Sequence, residues 1–332
     1  MIIHLKKDVA KQTLQDITKR YKGIAISKNG VPVIITSSKI KELEKDDQKH
    51  AEEVFTFNDD IQLSSRNYVD DKRQIQVGDL SIGGETGNTF VMAGPCSVES
   101  EEQINETALF LKEKGVNILR AGCYKPRTSP YTFQGMGEEG LKLLANIREN
   151  YGMRIITEVK DSSHVDKVIQ YSDIVQVGTK AMYDQSILRA CAEADKPVLI
   201  KRGFSSTLQE FVQAAEFVMS GGNDQVILCE RGIRTFETKT RFTLDLCGVA
   251  FLKKETNLPV VVDPSHAMGH AYGVPDLSRA SLAMGIDGLL IEVHPTPKTA
   301  LSDASQQLDF EQFTQLYDSL KSLAPATGQR LT

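Results

Sequence analysis

The sequence predicts an α/β protein: a TIM-type (β/α)8 barrel preceded by a small N-terminal α+β domain. Three observations predict it. From residue 75 onward, short apolar runs rich in Val, Ile and Leu alternate with amphipathic stretches. That is the pattern of parallel strands buried on both faces and joined by crossover helices. Eight such units fill about 250 residues, the usual size of a closed parallel barrel. Almost every apolar run also ends in a charged or reactive side chain, and a barrel would gather these ends at one mouth. A doubly wound sheet is the rival, but it carries a G-x-G-x-x-G turn after its first strand. Here the first barrel strand runs instead into Ala93-Gly94-Pro95-Cys96.

In chain order, Ile2, Ile3 and Leu5 read as a short strand and residues 8–20 as an amphipathic helix. Residues 23–36, centred on Asn29-Gly30, read as a hairpin. Residues 39–54 (KIKELEKDDQKHAEEV) read as a highly charged helix, and 58–75 as a polar linker. QIQVGDLSIGG (74–84) reads as a second hairpin. The expected domains are 1–65, a small α+β unit that is regulatory or oligomerising; 66–85, linker and hairpin at the barrel base; and 86–325, the barrel. Barrel strands are expected at 89–95, 117–121, 154–158, 173–177, 197–201, 226–230, 259–263 and 287–292. Helices are expected at 101–114, 138–149, 162–170, 184–193, 207–219, 240–254, 276–284 and 309–322.

The chain has 332 residues, 40% of them hydrophobic, and a net charge of −5. It can bury a core without disulfides, and it lacks the basic balance of a nucleic-acid binder. Anionic small molecules remain open, because they answer to local charge. No apolar run approaches the roughly 20 residues that span a bilayer, and the first residues lack a secretion signal. The five cysteines are odd in number and scattered. No membrane and a reducing cytoplasm are therefore expected.

The mouth would hold two chemical classes. Arg120, Lys125, Arg127, Lys180, Lys201, Arg202, Arg231 and Arg234 are cations that would repel one another unless an anion were bound. They imply a ligand with several anionic groups, two phosphates and a carboxylate. Cys96, His266, Glu292 and Asp303 would make a mixed site for a divalent metal ion such as Mn, Fe, Co or Zn. Each also has a bland reading: small core residue, turn histidine, salt-bridge partner, cap. Glu158, Gln176, Glu230, Asp263 and His294 also close strands. Cys123 reads as packing or as a reactive thiol, Cys191, Cys229 and Cys247 as core, and His270 and Tyr272 as a rim loop.

Seven stretches carry a resemblance: AGPCSVES (93–100), LRAGCYKPRTSPYTFQG (119–135), ITEVKD (156–161), VLIKRGF (198–204), ILCERGIRTFE (227–237), VDPSHAMG (262–269) and LIEVHPTPKTALSDASQQLDF (290–310). Through them, residues 70–325 resemble the type I beta class of 3-deoxy-arabino-heptulosonate 7-phosphate (DAHP) synthases. The resemblance implies a transferase at the first step of the shikimate pathway of aromatic amino acid biosynthesis, joining phosphoenolpyruvate to erythrose 4-phosphate. It implies metal ligation by Cys96, His266, Glu292 and Asp303. Phosphoenolpyruvate contacts would fall on Arg120, Lys125, Lys201 and Arg231, with Glu158 nearby, and erythrose phosphate contacts on Arg127, Thr128 and Ser129. Lys125 would be the general acid, and Glu158 or His266 would handle the proton of water. Where the class usually carries G-A-R-N, this chain has Gly178-Thr179-Lys180-Ala181, so Lys180 keeps the charge but loses the bidentate fork. The resemblance further implies a ferredoxin-like N-terminal domain, inhibition by an aromatic amino acid or pathway product, and a homo-oligomer, tetramer or dimer. The alternative is the sister 3-deoxy-octulosonate 8-phosphate synthase, which uses arabinose 5-phosphate. It typically has K-A-N-R where this chain has Lys125-Pro126-Arg127-Thr128.

Overall fold

The computed structural model describes residues 1–125 and 129–332. The N-terminal unit runs β1 (Ile2–Leu5), α1 (Lys11–Arg20), β2 (Ile24–Lys28), β3 (Val31–Ile35), the single turn α2 (Lys45–Gln48) and β4 (Ala51–Phe55). Its strands form an antiparallel sheet in the order β2-β3-β1-β4. Asn29 and Gly30 turn the β2–β3 hairpin with φ of 51° and 77°, the left-handed values that an Asn-Gly turn supplies. Alternation along the strands serves two cores. Ile3 and Ile34 pack with Ile17 of α1, whereas Ile2, Val33 and Ile35 join the large core shared with the barrel.

The charged helix expected over 39–54 is not there. Only Lys45–Gln48 is helical, and Ala51–Phe55 is a strand pairing Ile2↔Phe55 and Ile3↔Val54. The open edge of β1 offers backbone donors and acceptors that need partners. Glu52 and Glu53 stay exposed on the new edge, where charge is tolerated.

The hairpin β5 (Gln74–Val77) and β6 (Leu80–Gly83) follows as expected. Then come β7 (Asn88–Gly94), α3 (Glu101–Glu113), β8 (Ile118–Arg120), α4 (Glu138–Tyr151), β9 (Arg154–Val159), α5 (Val165–Tyr171), β10 (Ile174–Val177), α6 (Gln185–Glu193), β11 (Val198–Lys201), α7 (Leu208–Ser220), β12 (Val226–Glu230), α8 (Leu246–Glu255), β13 (Val260–Val262), α9 (Pro264–Met268), α10 (Val274–Ala283), β14 (Gly288–Glu292), α11 (Phe310–Leu323) and β15 (Arg330–Leu331). Strands β7 to β14 are parallel neighbours in chain order, and β14 pairs back onto β7 from Gly288↔Phe90 to Glu292↔Gly94. The barrel is therefore closed. Several helices start on side-chain caps, among them Ser100, Asp184, Thr207 and Asp309, each satisfying an otherwise orphaned backbone donor.

Two expectations need adjusting. The polar stretch 58–75 is tied down: Glu216 of α7 accepts from the backbone N–H groups of Gln62, Leu63 and Ser64 at 2.9, 3.0 and 2.7 Å. The helix expected from residue 240 begins only at Leu246, because Asp245 caps it by accepting from Gly248 N. Residues 231–244 instead fold back on themselves through the Ile233↔Thr243 bridge. That detour carries side chains into the mouth.

Inside the barrel a period of two divides each strand between a lower and an upper layer. Met92, Ile118, Ile156, Ile174, Leu199, Ile227, Val261 and Leu290 share one apolar cluster with Ile75, Val77 and Ile82 of the hairpin. Two residues after Ile118, Ile156, Ile174, Leu199, Val261 and Leu290 stand Arg120, Glu158, Gln176, Lys201, Asp263 and Glu292.

Candidate functional site

Gly94 ends β7 so close to β8 that a Cβ there would lie 2.2 Å from the Arg120 carbonyl oxygen. Only glycine allows this approach, and it brings Cys96 against Lys125. The Cys96 Sγ lies 3.1 Å from Lys125 Nζ, 3.0 Å from Ser302 Oγ and 3.5 Å from Asp303 Oδ2. Ligand atoms of Cys96, Glu292 and Asp303 all fall within 4.8 Å of one another. His266, on the short α9, completes the group: its Nε2 is 3.5 Å from Glu292 Oε1 and 3.7 Å from Asp303 Oδ2. Asp263, at the head of α9, accepts from His266 N at 2.9 Å and faces His266 Nδ1 at 2.8 Å. Asp303 holds its backbone at φ 49°, a left-handed conformation that aspartate tolerates better than most residues. The four side chains expected to bind metal are thus neighbours.

Their chemistry fits a divalent cation. A thiol, an imidazole and two carboxylates mix soft, borderline and hard donors. The far nitrogen of His266 rests on a carboxylate, as it commonly does when the other nitrogen binds metal. Burial, reinforced by Glu292, pushes the Cys96 thiol up to about 12, so a cation is what would favour the thiolate. Burial alone would raise the Asp263 carboxyl, but His266 and Lys201 hold it well below the usual carboxylate range.

Beside this cluster lies a cavity of about 360 Å³, reached by His266 and Asp303 and walled by Lys125, Glu158, Lys180, Lys201, Arg231 and Arg234. Arg231 is buried, and its Nε has no hydrogen-bond partner among the described residues. Its guanidinium lies 4.2 Å over the Phe242 ring, and that of Arg234 lies 4.7 Å over Phe204. The two phenyl rings stack at 5.7 Å. Stacking occupies guanidinium faces and leaves N–H edges for an oxyanion. Glu158 accepts from Gln176 Nε2 at 2.6 Å and fits because residue 178 is glycine, where a Cβ would come 2.5 Å from its carboxylate.

Among the described residues Arg231 forms no salt bridge, whereas three other mouth cations have acidic partners. Arg120 bonds Glu292 at 3.0 Å and Lys201 bonds Asp263 at 2.5 Å. Arg202 turns away to Glu230 and Asp245, each at 2.8 Å, and does not line the cavity. Its strand partner Lys201 takes the inward position of the alternation, so Arg202 and Glu230 form a buried structural pair. His294 is buried with Nδ1 accepting from Thr296 N, away from the cavity. Cys247 is exposed rather than core, whereas Cys123 is buried, with its thiol pushed up by burial to about 12. Ser129 Oγ accepts from Tyr131 N and does not line the cavity. Arg127 and Thr128 lie outside the described residues. Phe204, Arg241, Phe242 and Gln306 escaped the sequence reading. None of the four lies on a strand, and residues 241 and 242 were hidden inside a helix expected too early.

A family model described as the DAHP synthetase I family matches residues 61–328. The phospho-2-dehydro-3-deoxyheptonate aldolase of Thermotoga maritima is 48% identical over 269 residues, covering 81% of this chain and 79% of that protein. The 2-dehydro-3-deoxyphosphooctonate aldolase of Methylobacillus flagellatus is 35% identical over 255 residues, covering 70% of this chain and 90% of its own. The crystal structure of the DAHP synthase of Thermotoga maritima superposes with a TM-score of 0.81 at 41% identity, covering 100% of this chain and 99% of that one. A collinear match over this span, on a closed barrel that gathers the motif residues at one mouth, leads to one conclusion: the chain belongs to the DAHP synthetase I family.

Proposed function

We propose that the chain joins phosphoenolpyruvate, erythrose 4-phosphate and water to give 3-deoxy-D-arabino-heptulosonate 7-phosphate and phosphate. The observation that carries this reading is the Cys96, His266, Glu292 and Asp303 cluster opening onto a cavity walled by Arg231, a buried guanidinium whose Nε has no hydrogen-bond partner among the described residues. The four side chains would hold a divalent ion (Mn, Fe, Co or Zn), which when bound polarises a carbonyl oxygen as a Lewis acid.

The chain's own groups do the rest. Arg231 and Lys201, with Arg120 and Lys125 beneath, would take the carboxylate and phosphate of phosphoenolpyruvate. Lys180 and the 127–129 segment would take the sugar phosphate. Holding two anions side by side in a neutralising frame removes the repulsion that would keep them apart in water. Lys125, which donates to Cys96 Sγ and lines the cavity with Glu158, would give a proton to the new alkoxide oxygen as the methylene carbon of phosphoenolpyruvate attacks the aldehyde. Glu158 or His266 takes the proton of the water that adds to the neighbouring, phosphate-bearing carbon, and the C–O bond to phosphate then breaks as that carbon's new hydroxyl becomes the ketone.

The test is phosphate release from phosphoenolpyruvate with each aldose, before and after chelation. Turnover with erythrose 4-phosphate that chelator removes and metal restores is expected. The 35% identity to an octulosonate aldolase favours a second reading, in which arabinose 5-phosphate is the faster substrate, and the same assay decides between them.

The β-α-β-β-α-β order and the β2-β3-β1-β4 sheet support a ferredoxin-like reading of residues 1–65, with linker and hairpin at 66–85 and barrel at 86–325. We read that unit as regulatory or oligomerising. Inhibition on titrating tyrosine, phenylalanine or chorismate, and a dimeric or tetrameric mass in light scattering, are the expected outcomes. Among the described residues no helix is long and apolar enough to cross a membrane.

A further inference from the structure

Gln306 stands three residues beyond Asp303 and is fully buried. Its amide nitrogen donates to Glu292 Oε2 at 2.6 Å and reaches Asp303 Oδ2 at 3.4 Å. Its amide oxygen accepts from Arg241 Nη1 at 2.7 Å. Its backbone N–H donates to the Asp303 carbonyl at 3.2 Å, closing the turn in which Asp303 takes its left-handed φ. Arg241 reaches the same carboxylate from the other side, 3.5 Å from Asp303 Oδ1.

These contacts determine the orientation of the amide. Flipped, its oxygen would face the Glu292 carboxylate and its NH2 the Arg241 guanidinium, opposing like to like at both ends. A charged side chain cannot meet both demands. A carboxylate cannot donate to Glu292, and an ammonium cannot accept from Arg241. A neutral amide anchors two carboxylates without changing the charge of the cluster. It occupies Glu292 Oε2 and leaves Oε1 toward His266 and Arg120, at 3.5 and 3.0 Å.

We propose that Gln306, oriented by Arg241, is a positioning residue that presets the Glu292 and Asp303 carboxylates in one arrangement, and so sets the affinity and coordination geometry of the cation site. This rests on the reading of Cys96, His266, Glu292 and Asp303 as that site. Partners at this remove from a metal commonly change its affinity by about 10–100-fold when lost.

The test uses the full-length chain and cobalt(II), whose thiolate charge-transfer and ligand-field absorptions report binding and geometry without any substrate. Gln306→Met keeps the length and removes every side-chain hydrogen bond. Its cobalt dissociation constant is expected to rise by about 10–100-fold, with a changed ligand-field envelope and an unchanged far-UV circular dichroism spectrum. Arg241→Met is expected to give a smaller loss in the same direction, and decides the matter if Gln306→Met does not fold. Cobalt binding with unaltered affinity and bands in the variants would overturn the proposal and leave the cation site standing. A chain that gives no thiolate charge-transfer band, or a Cys96→Ser variant that keeps it, would remove the site and the proposal together.

Discussion

At the base of the barrel, the β5–β6 hairpin sets Ile75, Val77 and Ile82 among Met92, Ile118, Leu199 and Leu290. At the mouth the same strands end in Arg120, Lys201 and Glu292, all buried yet charged. Strand residues two apart share a face, so one face is apolar below and ionic above. Burial lowers the free energy of the lower layer, because apolar area leaves water. Burial raises that of the upper layer, because ions lose solvent and regain only part of it from partners. The base therefore stabilises the fold, and the mouth is held in a state that the fold alone would not choose. This is what an anion and cation site requires, since unpartnered groups such as Arg231 Nε are the ones available to a ligand.

The contrast can be broken by substitutions at either end. The largest effect is expected from Cys96→Ala, which removes a donor from the centre of the mouth. Turnover should fall by about 10³-fold or more, the equivalent of several kcal/mol of carbonyl polarisation, while circular dichroism stays unchanged. Full activity in a phosphate-release assay would end the metal role of Cys96. At the base, Ile82→Ala should cost about 2–4 kcal/mol in urea denaturation through lost burial and a residual cavity, with little change in KM. A variant that lost substrate affinity instead would blur the division between the two ends.

Arg231→Leu should raise KM for phosphoenolpyruvate by about 10–100-fold, the weight of a charge-assisted contact. Its thermal midpoint should hold or rise, because a buried cation without an acidic partner is removed. A falling midpoint would mean that Arg231 serves the fold. Acid should sharpen the picture further. The folded-state Asp263 carboxyl is held well below its ordinary value, so its contribution is complete above the unfolded pKa of about 4 and is lost as pH falls through the folded value. Asp263 should therefore add a loss of urea midpoint below about pH 4, and Asp263→Asn should flatten that part of the decline. The smallest effect concerns Cys247, the exposed thiol. It should react with a thiol reagent in the native state without loss of turnover, and a mass spectrum placing the label on a buried cysteine would contradict the fold described.

The barrel was legible because its cues are local. Val198–Lys201 and Gly288–Glu292 are apolar runs of strand length ending in a charge, and a period of two then names Lys201 and Glu292 as mouth residues. Thr207 with Glu210, and Asp309 with Gln312, announce their helices through capping boxes. Cys96, His266, Glu292 and Asp303 could be grouped because closure makes the first, seventh and eighth strands neighbours.

What only the tertiary structure decided depends on partners distant in the chain. Ala51–Phe55 is a strand because β1, some fifty residues earlier, has an edge to fill. Arg202 left the mouth because Glu230 and Asp245 were within reach of it. Phe242 and Arg241 reached the cavity because Asp245 delayed a helix. Gln306 acquired its place only once Glu292, Asp303 and Arg241 stood around it. Side-chain spacing is set by backbone geometry and is written along the chain. Pairing between polar groups is set by which surfaces meet, and that is settled only when the barrel closes.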